Sequence, residues 1–235
     1  MRPFMKHWKE LDIRFDAVYS GFLGSFEQLD IVKEFFSLFK REDNLILVDP
    51  VMGDNGELYK IFTPKFAKGM RSLCEKADII VPNLTEAALL LGEPYQAGPY
   101  TKAYIDGILH KLSQLGPKQV VLTGVYFDEK ELGAATFDME RNATEYVLTE
   151  KIPGYYHGTG DVSVPCVSLQ LSWMIGLQPI GLSHSEISGS KVICTYPKLI
   201  AAYHVLHRLR EPRHPPYALS YFLYDCICYQ ITDSE

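Results

Sequence analysis

The tetrapeptide Gly158-Thr159-Gly160-Asp161 is the densest group of chemically suggestive residue types in this chain. Glycines around a small hydroxyl residue let backbone N–H groups converge on an anion, because no Cβ holds the chain away. A helix beginning just after them adds the positive end of its dipole at the same place. An Asp beside such an anion hole can accept a proton from a hydroxyl while the hole stabilises charge on a transferred phosphoryl group. Taken alone, the tetrapeptide is read more readily as a turn whose Asp caps a helix.

Three other motifs stand where strand signals stop. Val48-Asp49-Pro50-Val51-Met52-Gly53-Asp54 follows the apolar run Asn44–Val48, and its Pro and Gly make a tight turn that presents Asp49 and Asp54. Val81-Pro82-Asn83-Leu84-Thr85-Glu86 follows Asp78–Val81. Asn83 and Glu86 are candidates to hold Mg²⁺ directly or through water, since that ion takes few carboxylates alongside waters and phosphates. Glu86 reads equally well as a first-turn acid favoured by a helix dipole, and Asp49 and Asp54 as solvated carboxylates. Thr123-Gly124 closes a third apolar run, Gln119–Gly124.

These motifs need a scaffold that brings strand ends together. Runs at 15–21, 44–48, 78–81 and 119–124 are short and nearly continuous in apolar character, as suits parallel strands buried on both faces. Helical spacing is found over 31–39, over 62–74 from Thr63-Pro64, over 85–91 up to Gly92, and over 100–115 up to Gly116-Pro117. Residues 133–138 and 144–149 form a hairpin pattern. The strand–helix alternation predicts an α/β fold, with an open, mostly parallel central sheet and helices on both faces. Ligands of such sheets bind at the carboxyl ends of strands.

The chain has 235 residues and a net charge of −6, which points away from nucleic acid and anionic membranes as main partners. No apolar run reaches membrane-span length, and the charged opening 1–10 is unlike a signal peptide. Cys74, Cys166, Cys194, Cys226 and Cys228 form no CxxC pair and complete no zinc set, so they read as free thiols in a reducing cytoplasm.

In this order and spacing, Asp-Pro-Val-Met-Gly-Asp, Pro-Asn-Leu-Thr-Glu-Ala, a strand ending in Thr-Gly, and Gly-Thr-Gly-Asp resemble the pyridoxal kinase branch of the ribokinase-like superfamily. Residues 19–29 and His7-Trp8-Lys9 are similar to pyridoxamine kinases of that branch. The resemblance covers about residues 7–162. It implies Mg²⁺-dependent transfer of the γ-phosphoryl of ATP to the 5′-hydroxymethyl of pyridoxal, pyridoxine or pyridoxamine. By motif, Asp161 is matched to the base, and Gly158, Thr159 and Gly160 to the anion hole. Asp49, Asn83 and Glu86 are matched to the surroundings of the ATP phosphates, with Asp49 and Glu86 on the metal side. Thr123 and Gly124 match the nucleotide-binding strand end. Asp54 and Tyr59 match a loop that shields the phosphates, and Phe22 an aromatic near the pyridine ring. The family also tends to dimerise, which leaves a homodimer open.

Two departures from the family shape the remaining expectations. The family opens with a strand and loops dozens of residues ahead of His7, so this chain is expected to begin mid-domain. After Gly-Thr-Gly-Asp the family carries a small-residue apolar helix, where this chain has Pro165. The residues after Asp161 hold 5 of the chain's 29 acidic residues but four of its five Cys. Back-translated from Val162 and shifted by one base, the frame permits Phe-Gly-Ser-Val-Cys-Val, and Trp173-Met174-Ile175 forces Asp-Asp. The expectation is therefore a partial kinase domain over 1–162 and an out-of-frame tail over 163–235, with the fold incomplete at both ends, weak folding and impaired activity. Intact in-frame coding in the gene sinks the frameshift. Two alternatives stay open for function: a non-catalytic remnant that binds nucleotide or a partner subunit, and a hydroxymethylpyrimidine phosphate kinase.

Overall fold

The computed structural model describes residues 1–151. The Gly158–Asp161 motif and residues 163–235, expected to be a divergent tail, lie outside the described residues.

A six-stranded sheet organises the chain, in the order β1-β2-β5-β6-β7-β8. Its strands are β1 (Ala17–Ser20), β2 (Leu45–Val48), β5 (Ile79–Ile80), β6 (Gln119–Val125), β7 (Glu131–Asp138) and β8 (Ala143–Glu150). β1, β2, β5 and β6 run parallel, and β7 and β8 add an antiparallel meander. A separate two-stranded ribbon, β3 (Gly53–Asp54) with β4 (Glu57–Leu58), follows β2. The helices are α1 (Arg2–Glu10), α2 (Phe26–Phe39), α3 (Pro64–Cys74), α4 (Leu84–Leu91) and α5 (Lys102–Ser113).

The apolar runs of β2, β5 and β6 became strands because both of their faces are covered, whereas the run at 15–21, expected to be buried likewise, forms the edge strand β1 and leaves Ala17 and Tyr19 exposed. Ile46, Val48, Ile80, Val120 and Leu122 join Leu29 and Phe36 of α2, Met70 and Leu73 of α3, Leu90 of α4, and Ile105 and Leu109 of α5 in one large core. On the opposite face Leu47, Ile79, Val81, Val121 and Ala134 form a second buried cluster, to which no described helix contributes. The parallel α/β fold expected from the alternation is thus present, with the described helices of the main core on one face.

Helix boundaries differ from the sequence reading in instructive ways. Helix α2 starts at Phe26 instead of Ile31, because Ser25 caps it, its Oγ accepting from the Gln28 N–H at 3.2 Å. Helix α1 occupies the opening segment, read from sequence only as charged. Met5 is buried there, and the Trp8 ring meets Phe15 at 5.8 Å and Phe35 at 6.3 Å, tying α1 to α2. Apolar residues at 4, 5 and 8 make a stripe at helical spacing that the surrounding charges obscure. Among the described residues no helix is long and apolar enough to cross a membrane.

Candidate functional site

Parallel pairing brings three motif-bearing strand ends side by side. Val48 pairs with Ile80 and Ile80 with Val120. Beyond them, Val81 N–H donates to Val48 C=O at 3.0 Å, and Thr123 N–H donates to Pro82 C=O at 2.9 Å. An isolated parallel bridge joins Asn83 to Thr123. Asp49, Asn83 and Thr123 therefore leave adjacent strands at one edge, as the sequence predicted. Asp49 is buried there, its own N–H donating to Ser20 C=O at the end of β1.

Asn83 and Glu86 form a capping box at the start of α4. The Asn83 Oδ1 accepts from the Glu86 N–H at 2.9 Å, and a Glu86 carboxylate oxygen accepts from the Asn83 N–H at 2.8 Å. Both residues also reach out of the helix. Asn83 Nδ2 donates to Gly53 C=O at 2.9 Å, and the other Glu86 oxygen accepts from the buried Met52 N–H at 3.3 Å. The sequence left Glu86 divided between a first-turn acid and a phosphate-side residue. Structurally it is a first-turn acid that also anchors the segment leaving β2.

Gly124 has φ +77 and marks a shift of register between Thr123 and Val125 against β7. An extra residue in the left-handed region bends a strand locally and suits glycine. Here the bend falls where β6 reaches the strand edge.

The β3–β4 ribbon turns through Asn55 (φ 52) and Gly56 (φ 83), both left-handed, the backbone of a tight hairpin turn. Asp54 sits at its tip, exposed, with Oδ1 accepting from the Asn55 N–H at 2.9 Å. The Gly56 N–H donates to Thr85 Oγ1 at 2.9 Å, and a Cβ on Gly56 would lie 2.6 Å from the Tyr95 ring. Sequence reasoning missed the ribbon, Thr85 and Tyr95. The Asn55-Gly56 dipeptide is the signal that finds the turn.

On the other flank, aromatic rings line up. Phe22 meets Phe62 at a tilt at 5.7 Å, Phe62 lies parallel on Phe66 at 4.2 Å, and Tyr59 meets Phe62 at 6.5 Å. Phe62 and Phe66 are buried, while Phe22 and Tyr59 stand 56% and 40% exposed. The predicted substrate-side residues Phe22 and Tyr59 thus share one aromatic shelf. Asp54 belongs to the ribbon instead.

Among the described residues, no three His, Cys, Asp or Glu side chains gather as a metal site. Glu86 and Asp49 both raise the pKa of the buried Cys74 thiol, after the larger effect of burial itself, so the two carboxylates share one electrostatic neighbourhood. Asp161, Gly158, Thr159 and Gly160 lie outside the described residues.

Comparison with known proteins agrees with this architecture. A family described as phosphomethylpyrimidine kinase matches residues 9–173. A pyridoxal kinase of Dictyostelium discoideum is 31% identical over 184 residues, covering 74% of this chain and 58% of that protein. A candidate phosphomethylpyrimidine kinase of Bacteroides thetaiotaomicron, solved with pyridoxal, is 35% identical with a TM-score of 0.70, covering 92% of this chain and 78% of that one. The crystal structure of pyridoxal kinase from Lactobacillus plantarum is 33% identical with a TM-score of 0.65, covering 75% and 62%. The chain spans about half the length of the curated relatives it matches, 58%, 48% and 50% for three of them.

Proposed function

We propose a function from one premise: the chain belongs to the phosphomethylpyrimidine kinase family and has its ribokinase-like fold. The reaction is transfer of the γ-phosphoryl of ATP to the 5′-hydroxymethyl of pyridoxal, pyridoxamine or pyridoxine. The observation that carries it is the row of Asp49, Asn83 and Thr123 at the carboxyl ends of adjacent parallel strands, with the Asp54–Gly56 turn fastened beside it. Open α/β sheets bind ligands at that edge.

The ATP phosphates are assigned to the strand edge, near Thr123, Gly124, Asn83 and the ribbon. The vitamer ring is assigned to the shelf of Phe22 and Tyr59. Asp161 accepts the proton of the attacking hydroxyl, and the N–H groups of Gly158, Thr159 and Gly160 receive the transferred phosphoryl. Asp49 and Glu86 fit Mg²⁺ held through waters and phosphate oxygens and not in an all-protein cage, since Glu86 already receives a backbone N–H on each oxygen. Bound there, the ion neutralises charge developing on the phosphates. The same reading assigns residues 1–162 to the kinase domain and the remainder to a divergent tail. It also places the protein in the cytoplasm, with a vitamer and ATP as partners, without nucleic acid or membrane, and with a homodimer as its assembly.

Pyridoxal is favoured over a pyrimidine substrate because the relative solved with pyridoxal is among the most similar structures, and the curated relatives are pyridoxal kinases. The family's own description keeps the pyrimidine reading as the second one. The deciding experiment offers ATP with pyridoxal, pyridoxamine or hydroxymethylpyrimidine phosphate to the purified chain, with Asp161→Ala as control. Vitamer turnover abolished in the control supports the proposal. Turnover of the pyrimidine alone assigns the second reading. Nucleotide binding without any turnover leaves a non-catalytic remnant.

A further inference from the structure

Thr85 belongs to the Asn83–Glu86 motif, yet no role in the proposed reaction falls to it. It is 3% exposed. A buried hydroxyl at the second position of a helix needs a partner, and helix geometry offers it its own backbone. Thr85 instead receives a hydrogen bond from a residue 29 positions earlier, the Gly56 N–H, at 2.9 Å. Gly56 is the second left-handed residue of the ribbon turn, with Tyr95 packed against its Cα. The same stretch of chain is held twice more by the α4 cap, through Asn83 to Gly53 and Glu86 to Met52. Those two bonds grip the base of the ribbon. The bond from Gly56 to Thr85 reaches its turn, where Asp54 sits.

We infer that Thr85 is a positioning residue that fixes the Asp54–Gly56 turn against the start of α4 and so presets the ATP-phosphate side of the site. The inference rests on the proposed phosphotransfer reading for its consequence, but the hydrogen bond stands without it. A turn already fastened loses less freedom when a nucleotide arrives, which strengthens binding without adding a contact. The vitamer side gains less, because Phe22, Phe62 and Phe66 of the aromatic shelf lie on other segments and Tyr59 is held at the base of the ribbon, its N–H donating to Met52 C=O at 2.9 Å, and not at its turn.

The test compares Thr85→Val, which keeps shape and removes the acceptor, with Thr85→Ser, which keeps the acceptor. Amide exchange at Gly56, equilibrium binding of a fluorescent ATP analogue and the KM values for ATP and pyridoxal are measured on the full chain. Thr85→Val is expected to speed Gly56 exchange and to weaken nucleotide binding about five- to ten-fold, with pyridoxal KM unchanged. Thr85→Ser is expected to restore both to within about two-fold. Equal weakening toward ATP and pyridoxal, or a lowered melting temperature with nucleotide affinity intact, overturns the inference in favour of a purely structural hydroxyl. A chain that binds nucleotide without turnover defeats the phosphotransfer reading alone, and Gly56 exchange with nucleotide affinity still decides the role of Thr85. A chain that binds no nucleotide overturns both.

Discussion

On the α4 side of the strand edge, the polar groups are committed to one another: the half-buried Asn83 and the buried Glu86 cap a helix and hold the ribbon, and the buried Thr85 takes its turn. On the Phe22 side, Phe22, Tyr59 and Ile61 stand 56%, 40% and 66% exposed, and the Phe22 and Tyr59 rings face the buried Phe62 ring at 5.7 and 6.5 Å. The difference matches what each side is proposed to receive. Phosphate binding gains from donors fixed in advance, because reorganising dipoles during transfer lowers their worth. A flat ring needs area and shape, which a shelf of aromatic faces supplies without directional partners. Rigidity is therefore concentrated on one flank of a single edge.

If that contrast is right, mutations on the polar flank should strike folding and function together. Glu86→Ala leaves the Met52 and Asn83 N–H groups without their acceptors inside the protein, and is expected to destabilise the fold by about 3 kcal/mol. Urea unfolding measures it. Glu86→Gln keeps one acceptor oxygen and should lose roughly half as much. A loss below about 1 kcal/mol for the alanine variant would break the comparison, since the flank would then not depend on its hydrogen bonds.

Gly56→Ala comes next. Its Cβ adds left-handed strain at φ 83 and collides with the Tyr95 ring at 2.6 Å, for a combined loss of about 2 kcal/mol. Removing the ring in Gly56→Ala/Tyr95→Ala relieves the collision and leaves the strain. A double-mutant cycle over the two sites should then show coupling of about 1 kcal/mol.

A smaller effect concerns pH. Burial first, then the nearby Glu86 and Asp49 carboxylates, raise the Cys74 thiol above its ordinary 9.0. Above that pH the unfolded chain sheds a proton that the folded chain retains. The folded state then binds more protons, so stability falls as pH rises. From pH 9 to 10 the loss attributable to Cys74 is about 1 kcal/mol, and stability curves of Cys74→Ala should lack it.

What the sequence revealed of this edge follows how local each signal is. β2, β5 and β6 were legible because strands covered on both faces read as unbroken apolar runs, and the Asn83-x-x-Glu86 cap is complete within four residues. The strap from Gly56 to Thr85 was not legible, because its partners are 29 residues apart and neither is unusual alone. α1 was hidden for another reason: its apolar stripe is short and lies among charges, and only packing of Trp8 on Phe15 and Phe35 shows what it is for. Phe22 and Tyr59 came from family resemblance alone. Nothing in local spacing marks the exposed Phe22 ring as part of a shelf whose buried half, Phe62 and Phe66, lies some forty residues on.

The smallest change in folding, and the sharpest contrast with Glu86, is expected from Phe22→Ala. Phe22 is 56% exposed and touches the buried Phe62 only across a tilted ring pair at 5.7 Å. Truncating it should alter stability by less than about 0.5 kcal/mol. If the shelf receives the vitamer ring, the same truncation removes one aromatic face from the bound ring and should raise the KM for pyridoxal about ten-fold, one lost ring contact in binding free energy. The KM for ATP should not move. A variant that loses stability and both affinities would show that the shelf is packing for the strand edge, and the two flanks would then differ in chemistry but not in task.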